Sequence, residues 1–150
     1  ASDRRAVREL LGPVRAALAA GRVDLAFQPV VAAASRGSVI FLEALLRLTD
    51  ARGRAIPLAG IIAAAENAAT GRLLDCIALD LVLSRLARSP DLVLSVNMSA
   101  RSVGHPRWLQ VLALHLDQRD AVALGDEAVN YSSMYRTPWI LVDGISVTAG

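Results

Sequence analysis

The sequence predicts an α/β fold whose first two strands are antiparallel. Three runs rich in β-branched and other apolar residues have the length of strands, at residues 24–31, 38–46 and 91–96. Only a short turn, residues 32–37, separates the first two runs, which is typical of a β-hairpin. Apolar residues at helical spacing fill the interval before the third run, and this alternation of strands with helices is that of an α/β protein.

An amphipathic helix is predicted before the first strand. Apolar residues recur at helical spacing from Val7 to Leu18, and arginines occupy the other face. Ser2 and Asp3 are suited to cap the start of this helix, and Gly21 is suited to end it.

Two further helices are predicted between the second and third strands. Residues 49–56 form a polar loop after the second strand, and such loops carry the active sites of barrel enzymes. Pro57 then opens a helix over residues 58–69, and Gly71 ends it, because proline favours first turns and glycine favours helix ends. A second helix is predicted over residues 73–87.

The composition is that of a compact protein with one domain. The chain has 150 residues, of which 54% are hydrophobic and 20% charged, so it can bury a core. The net charge of +2 and the scattered arginines argue against nucleic-acid binding. No membrane-length apolar run and no signal peptide are visible, so a cytoplasmic location is expected. The single cysteine, Cys76, lies in an apolar helical pattern and is predicted to be a buried thiol.

One acid and one base lie inside the second strand-like run. On a strand, residues two apart share a face, so Glu43 and Arg47 project to the same side. An ionisable residue in an apolar run must be paired, bind a metal or lie at a strand end. On the pattern alone, a salt bridge between Glu43 and Arg47 at the rim of a sheet is the favoured interpretation.

Three segments of the sequence resemble a known family. Residues 41–47 read Phe-Leu-Glu-Ala-Leu-Leu-Arg, and residues 25–31 and 94–99 flank them in matching order and spacing. Together these segments resemble EAL domains, the bacterial phosphodiesterases and receptors of cyclic di-GMP. The resemblance is clear over about residues 24–116 and weaker over residues 121–148. It implies an α/β fold of the TIM-like (β/α) barrel type, incomplete or degenerate in this chain.

The resemblance also implies a metal site. By the family pattern, Glu43, Asn97 and Asp126 would hold one divalent ion, Mg²⁺ or Mn²⁺, and one site is favoured over two. Carboxylate and amide oxygens suit such a hard ion, and Mg²⁺ takes few protein ligands because it keeps several waters. For Asn97 taken by itself, a turn or cap role is the favoured interpretation.

Contacts to cyclic di-GMP follow from the same resemblance. Gln28 would contact a guanine, Arg47 would pair with a phosphate, and the backbone around Leu45 would line the ligand cleft. A guanidinium fork on a phosphate is a strong and directional contact in a partly dry site.

After residue 116 the sequence departs from the family pattern. The Glu-x-x-Glu segment and its helix have no counterpart near residues 117–121. Gly125 stands where the family has the first of two aspartates, and Ser146, in a predicted strand at 141–147, stands where the family has a lysine. The sequence contains no lysine that could replace it. Hydrolysis usually requires ions held by several carboxylates, so no catalytic residue is assigned.

The length of the chain is that of a partial barrel. A complete barrel of eight strand–helix units has roughly 250 residues, so about three units are missing. An open half barrel would leave strand edges and apolar faces uncovered. Three explanations stay open: a shortened sheet that closes on itself, a second copy that covers it, or a sequence that is part of a longer protein. We therefore expect one EAL-like domain over residues 1–150 that lacks an internal segment and the C-terminal units.

Three functions are compatible with these observations. The leading hypothesis is a degenerate cyclic di-GMP signalling module that binds this ligand or a protein partner, a second copy included, with little or no hydrolysis. It is motivated by the presence of Gln28, Glu43, Arg47 and Asn97 beside the loss of later acids and of lysine. One alternative is an active metal-dependent phosphodiesterase that forms linear pGpG and has its missing segments outside this sequence. The other is a protein-interaction module without a ligand.

Overall fold

Helices and strands alternate along the chain after an antiparallel start, as the sequence predicts. The structure is a computed structural model that describes residues 2–32, 37–89, 91–99, 101–116, 139–142 and 145–149. In these ranges it contains helices α1 (Ser2–Ala19), α2 (Ala59–Glu66), α3 (Ala69–Arg88) and α4 (Pro106–Leu116), and strands β1 (Val23–Val31), β2 (Val39–Thr49), β3 (Ala55–Ile56), β4 (Leu94–Met98), β5 (Trp139–Val142) and β6 (Ile145–Ala149).

The strands form one mixed sheet in the order β1-β2-β4-β6-β5, and β3 pairs with the end of β2. β1 and β2 are antiparallel, as are β5 and β6, whereas β2, β4 and β6 are parallel to one another. The predicted hairpin is therefore confirmed. The parallel centre flanked by helices is the arrangement of part of a (β/α) barrel.

The pairing register sets which side chains become neighbours. Gln28 on β1 lies directly opposite Glu43 on β2, and Asp24 lies opposite Arg47. On the other side of β2, Glu43 is opposite Ser95 of β4. Because side chains alternate along a strand, Glu43 and Arg47 share one face of the sheet, and Ala44 belongs to the other.

The main hydrophobic core lies where α3 and α4 cover one face of the sheet. Ala44 of β2 and Val96 of β4 are each 2% exposed and belong to this cluster, together with Trp108 of α4. α3 contributes most of the apolar surface and is buried around much of its circumference. Its buried residues are Thr70, Gly71, Leu74, Cys76, Ala78, Leu79, Val82, Leu83 and Leu86.

A second hydrophobic cluster attaches α1 to the rest of the domain. Leu11, Val14 and Ala17 are fully buried on one face of α1, at the spacing that the sequence predicts for a helix. They pack in one cluster with residues of β2, α2 and α3. Arg15 adds a polar contact, since its Nε donates a 3.0 Å hydrogen bond to the buried Thr70 hydroxyl of α3.

Several element boundaries between strands two and three differ from those predicted, since α2 spans Ala59–Glu66 and α3 spans Ala69–Arg88. β2 continues to Thr49, three residues past the predicted end at 46, because Leu48 is buried and the last residues of β2 pair with β3. Gly71 does not end a helix but lies buried in the first turn of α3. The break between helices falls at Ala68, whose φ of −110° and ψ of 158° are extended.

The predicted strand at 141–147 is also wrong, because the structure has two antiparallel strands there, β5 and β6. The residues that separate the two strands in the sequence are Asp143 and Gly144. An Asp-Gly pair between apolar runs is a strong sequence signal for a hairpin, and this signal takes precedence over the apolar pattern.

Replacing Leu79 by alanine is expected to destabilise the domain by about 2–5 kcal/mol, because it removes a buried side chain and leaves a cavity in the main core. Leu79 is 1% exposed, whereas Leu114 of α4 is 69% exposed. The matched control Leu114→Ala should therefore change the unfolding free energy by about 0.5 kcal/mol or less. Urea unfolding followed by circular dichroism measures both, and equal effects would contradict the assigned core.

The thiol of Cys76 is expected to react slowly with a disulfide reagent near neutral pH. Burial raises its pKa, with a smaller opposite effect from Arg107 and a smaller reinforcing effect from Asp75. A raised pKa in the folded state stabilises the fold below the ordinary thiol pKa of about 8.5, and this contribution is lost as the pH rises through the folded value. The rate at which Cys76 reacts with the disulfide reagent should increase many-fold when urea unfolds the chain. A fast reaction of the folded chain would contradict the burial of Cys76.

Candidate functional site

Two neighbouring parallel strands, β2 and β4, end at the same edge of the sheet. Arg47 lies two residues before the end of β2, and Asn97 is the penultimate residue of β4. The prediction that Asn97 follows the third strand is wrong, because β4 spans Leu94–Met98 and includes it. Both side chains are exposed at the edge where (β/α) sheets bind their ligands.

Glu43 pairs with Asn97 and not with Arg47. The Asn97 Nδ2 donates a 2.5 Å hydrogen bond to Glu43 Oε1. Arg47 Nη1 donates instead to the backbone oxygen of Leu46, at 3.0 Å. The Glu43–Arg47 salt bridge that the pattern favoured is therefore wrong, and an amide from the next parallel strand provides the partner that a carboxylate in an apolar strand requires.

A cleft of about 580 Å³ opens at this edge between β2, β4, α2 and α3. Its volume lies in the range of small-molecule binding sites. Arg47, Asn97, Asp75 and Ser99 contribute polar or charged groups to its lining. Most of the remaining wall is apolar and includes Leu45, Leu46, Pro57, Leu58, Ile62 and Met98. This combination of apolar walls with a few polar groups is the usual construction of a ligand site.

The residues predicted to contact the ligand lie on the two strands of the hairpin. Leu45 and Arg47 line the cleft, and Asn97 joins them from β4. Gln28 is exposed on β1 opposite Glu43, and neither Gln28 nor Glu43 belongs to the cleft wall. Side chains directly opposite on paired strands lie about 5 Å apart, so Gln28 flanks the Glu43–Asn97 pair.

Two of the three predicted metal ligands meet at this edge. The carboxylate of Glu43 and the amide of Asn97 are in direct contact, and both supply the oxygen ligands that a hard divalent ion prefers. Asp126, the third predicted ligand, lies outside the described residues. Within the described ranges, no group of three or more His, Cys, Asp and Glu side chains could hold an ion. The two residues therefore fit part of a divalent-ion site.

Asp75 is the polar residue of the cleft that the sequence analysis did not identify. It lies on α3, half-buried, and its Oδ2 accepts hydrogen bonds from the Ser99 N–H at 3.0 Å and from the Ser102 hydroxyl at 2.5 Å. The sequence did contain a signal for Asp75, because this acid stands between the apolar residues Leu74 and Cys76. Both of these neighbours are buried in the structure. An acid in the buried part of a helix needs specific partners, but the sequence does not reveal which residues they are.

The fold and this edge define a protein of the (β/α) barrel class with a cleft at the ends of its parallel strands. The family model of the EAL domain matches residues 13–125. The chain therefore belongs to the EAL domain family, as the three sequence segments predict. EAL domains are generally metal-dependent.

Solved EAL structures share the fold of this chain. The FimX EAL domain from Pseudomonas aeruginosa, bound to c-di-GMP, is 27% identical with a TM-score of 0.59 over 73% of this chain and 44% of that chain. The PaMucR phosphodiesterase in its c-di-GMP complex is 27% identical with a TM-score of 0.58 over 73% of this chain and 46% of that chain. The FimX EAL domain of Xanthomonas citri in complex with c-di-GMP is 18% identical with a TM-score of 0.61 over 78% of this chain and 46% of that chain. At this identity the likeness shows the fold alone.

In each of these comparisons, the chain covers less than half of the solved structure. The incomplete (β/α) barrel that the sequence predicts is therefore confirmed. No curated protein sequence matches the chain significantly. Among the helices in the described ranges, none is long and apolar enough to cross a membrane.

Proposed function

We propose that this chain is a signalling module that binds cyclic di-GMP and hydrolyses little or none of it. The observation that carries the proposal is the convergence of Arg47, Asn97 and Leu45 on one cleft at the ends of β2 and β4. The two solved structures that are 27% identical to the chain are both complexes with c-di-GMP, which supports this choice of ligand.

The chemistry of the cleft suits a cyclic dinucleotide. Cyclic di-GMP carries two phosphates and two flat guanines on a small ring. Arg47 has a planar guanidinium with several donors, which matches the two free oxygens of a phosphate. The apolar walls from Pro57, Leu58 and Ile62 can exclude water from one face of a base. In this arrangement Gln28 contacts a guanine from β1, and the backbone of Leu45 lines the ligand.

A divalent ion, Mg²⁺ or Mn²⁺, would strengthen this binding. Glu43 and Asn97 would hold it, with Asp126 as a third ligand. The bound ion supplies positive charge next to the ligand phosphates. Few protein ligands would suffice to hold Mg²⁺, because this ion gives up its waters reluctantly.

The sequence also supports the proposal that hydrolysis is weak. A two-ion site needs bridging acids, but the Glu-x-x-Glu segment has no counterpart, and Gly125 replaces an aspartate. Ser146 on β6 stands at the position of the family's lysine, and the chain has no lysine. We therefore propose one EAL-like domain that keeps the ligand contacts of its first three long strands and has lost an internal unit.

An active phosphodiesterase is the second candidate. It is supported by the contact between Glu43 and Asn97, which keeps the first part of a metal site assembled. PaMucR, which is 27% identical to this chain, is described as a phosphodiesterase. In this case segments beyond the present sequence would provide the other acids.

Replacing Arg47 by alanine is expected to weaken binding of cyclic di-GMP by about 10- to 100-fold, because a charge-assisted hydrogen bond to a phosphate is lost. Isothermal titration of the ligand with Ca²⁺ present measures this effect on the folded chain. Arg8→Ala is the matched control, since Arg8 is an exposed arginine of α1 that does not line the cleft, and it should leave the affinity unchanged.

Two results of this titration would contradict the proposal. Equal affinities of wild type and Arg47→Ala would show that Arg47 does not contact the phosphate. No saturable heat from a wild-type chain that is folded by circular dichroism would favour the ligand-free interaction module.

Incubation of the wild-type chain with cyclic di-GMP and Mg²⁺ or Mn²⁺ is expected to yield no linear pGpG above the level of Glu43→Gln. The reason is that the acids that would hold a second ion, and the lysine at the position of Ser146, have no counterpart in the sequence. Chromatography of the products measures the turnover. Metal-dependent formation of pGpG that Glu43→Gln abolishes would instead establish the active phosphodiesterase.

A further inference from the structure

We propose that Asp75 is a positioning residue that holds the end of β4 and thereby orients Asn97 for ligand and metal. The inference rests on the proposed function for its effect on affinity, but its structural part concerns Asn97 alone. Asp75 acts through the turn that follows β4. It therefore differs from Glu43 and Arg47, which are proposed to contact metal and ligand directly.

Asp75 accepts hydrogen bonds at the point where β4 ends. Ser99 is two residues after Asn97 and directly follows the last residue of β4. Its N–H reaches Asp75 Oδ2 at 3.0 Å, so a carboxylate on α3 caps the backbone just where strand pairing ends. The Ser102 hydroxyl donates to the same oxygen at 2.5 Å, and Ser102 is only 1% exposed. Hydrogen bonds to an ionised carboxylate are stronger than neutral ones.

The turn after β4 is held together by hydrogen bonds of its own. The Ser102 N–H donates to the backbone oxygen of Ser99 at 2.9 Å, and the His105 N–H donates to that of Ser102 at 2.9 Å. The Arg101 N–H also donates to the Ser99 hydroxyl, at 3.2 Å. These bonds join Ser99, Arg101, Ser102 and His105 into one compact unit, so fixing Ser99 and Ser102 to α3 fixes this unit.

The end of β4 is also attached to α4. Met98 follows Asn97 and is buried. Its sulfur accepts a hydrogen bond from the indole N–H of Trp108 on α4, with an Nε1–Sδ distance of 2.8 Å. The strand end is thus attached to two helices, through Met98 to α4 and through Ser99 to α3. Asn97 lies directly before these two attachments, and its own side chain is exposed. An exposed strand end without such contacts would fray.

Precise placement of Asn97 matters because its amide must meet Glu43 from another strand. Binding groups have to be held within about 0.5 Å of their working geometry by supporting residues. Loss of such supporting contacts in metal sites lowers affinity by about 10- to 100-fold. Asp75 meets the criteria for this role, since it is half-buried, lines the cleft and is bonded to the turn after β4.

The test uses four variants of the full chain, namely Asp75→Ala, Asp75→Asn, Ser102→Ala and Asp80→Asn. Asp75→Ala removes the acceptor, and Ser102→Ala removes one donor at a residue that does not line the cleft. Asp80→Asn is the control, because Asp80 lies on the same helix but bonds His115 of α4 at 2.7 Å. Two quantities are measured: the NMR shifts of the Asn97 side-chain amide, and the affinity for Mn²⁺ with cyclic di-GMP.

We expect Asp75→Ala and Ser102→Ala to move the Asn97 amide signals and to lower the affinity, by about tenfold for Asp75→Ala. Asp75→Asn, which keeps an oxygen acceptor, should restore part of both, and Asp80→Asn should change neither. If Asp75→Ala does not fold, the Asn97 amide signals of Ser102→Ala test the inference. Unchanged Asn97 signals in a folded Ser102→Ala or Asp75→Ala chain would overturn the inference.

The affinity measurement separates this inference from the proposed function. If the wild-type chain binds no ligand but the Asn97 signals move as expected, the proposed function fails and the positioning of Asn97 stands. If wild type and both variants bind equally well, the proposed function stands and the positioning role is wrong.

Discussion

The parallel pairing of β2 with β4 is the interaction on which the candidate site depends. Three residue pairs define the register of the two strands, and Glu43 opposite Ser95 is the central one. A slip of one residue would turn every side chain of a strand to the other face. Glu43 would then face the helices and Ala44 the open side. The buried apolar residues of both strands prevent this slip, so the core specifies the position of the polar pair.

The polar contacts around the site connect residues that are far apart in the sequence. Asn97 and Glu43 are separated by 54 positions, and Asp75 and Ser102 by 27. In each case one partner lies on a strand or in the turn after it, and the other lies on a different element. Such contacts form only after the sheet and helices have assembled, because closing these loops costs conformational entropy. The site is therefore a product of the completed fold.

The strands and helices could be predicted because their signals are local, whereas the roles of the site residues follow from the family resemblance and stay predictions. Strand and helix periods, the Pro57 start and the apolar face of α1 depend on neighbours within a few residues. The partners of Glu43 and Asp75 could not be predicted, since spacing says which face a residue occupies but not what lies opposite. The same limit applies to β5 and β6, where an apolar pattern suggested one strand although Asp143 and Gly144 separate two. Asp126 stays a prediction, as it lies outside the described residues.

α3 connects the two hydrophobic clusters, because Leu74 packs in the cluster of α1 whereas Cys76 to Leu86 pack in the main core. Asp75 lies between these two groups of buried residues on the same helix. A helix shared in this way cannot lose its contacts on one side without loosening the other. Stability and the geometry of the cleft are consequently coupled in this chain. Substitutions on α1 that alter its packing against Leu74 should therefore change the cleft at the edge of the sheet, because Leu74 also lines the cleft.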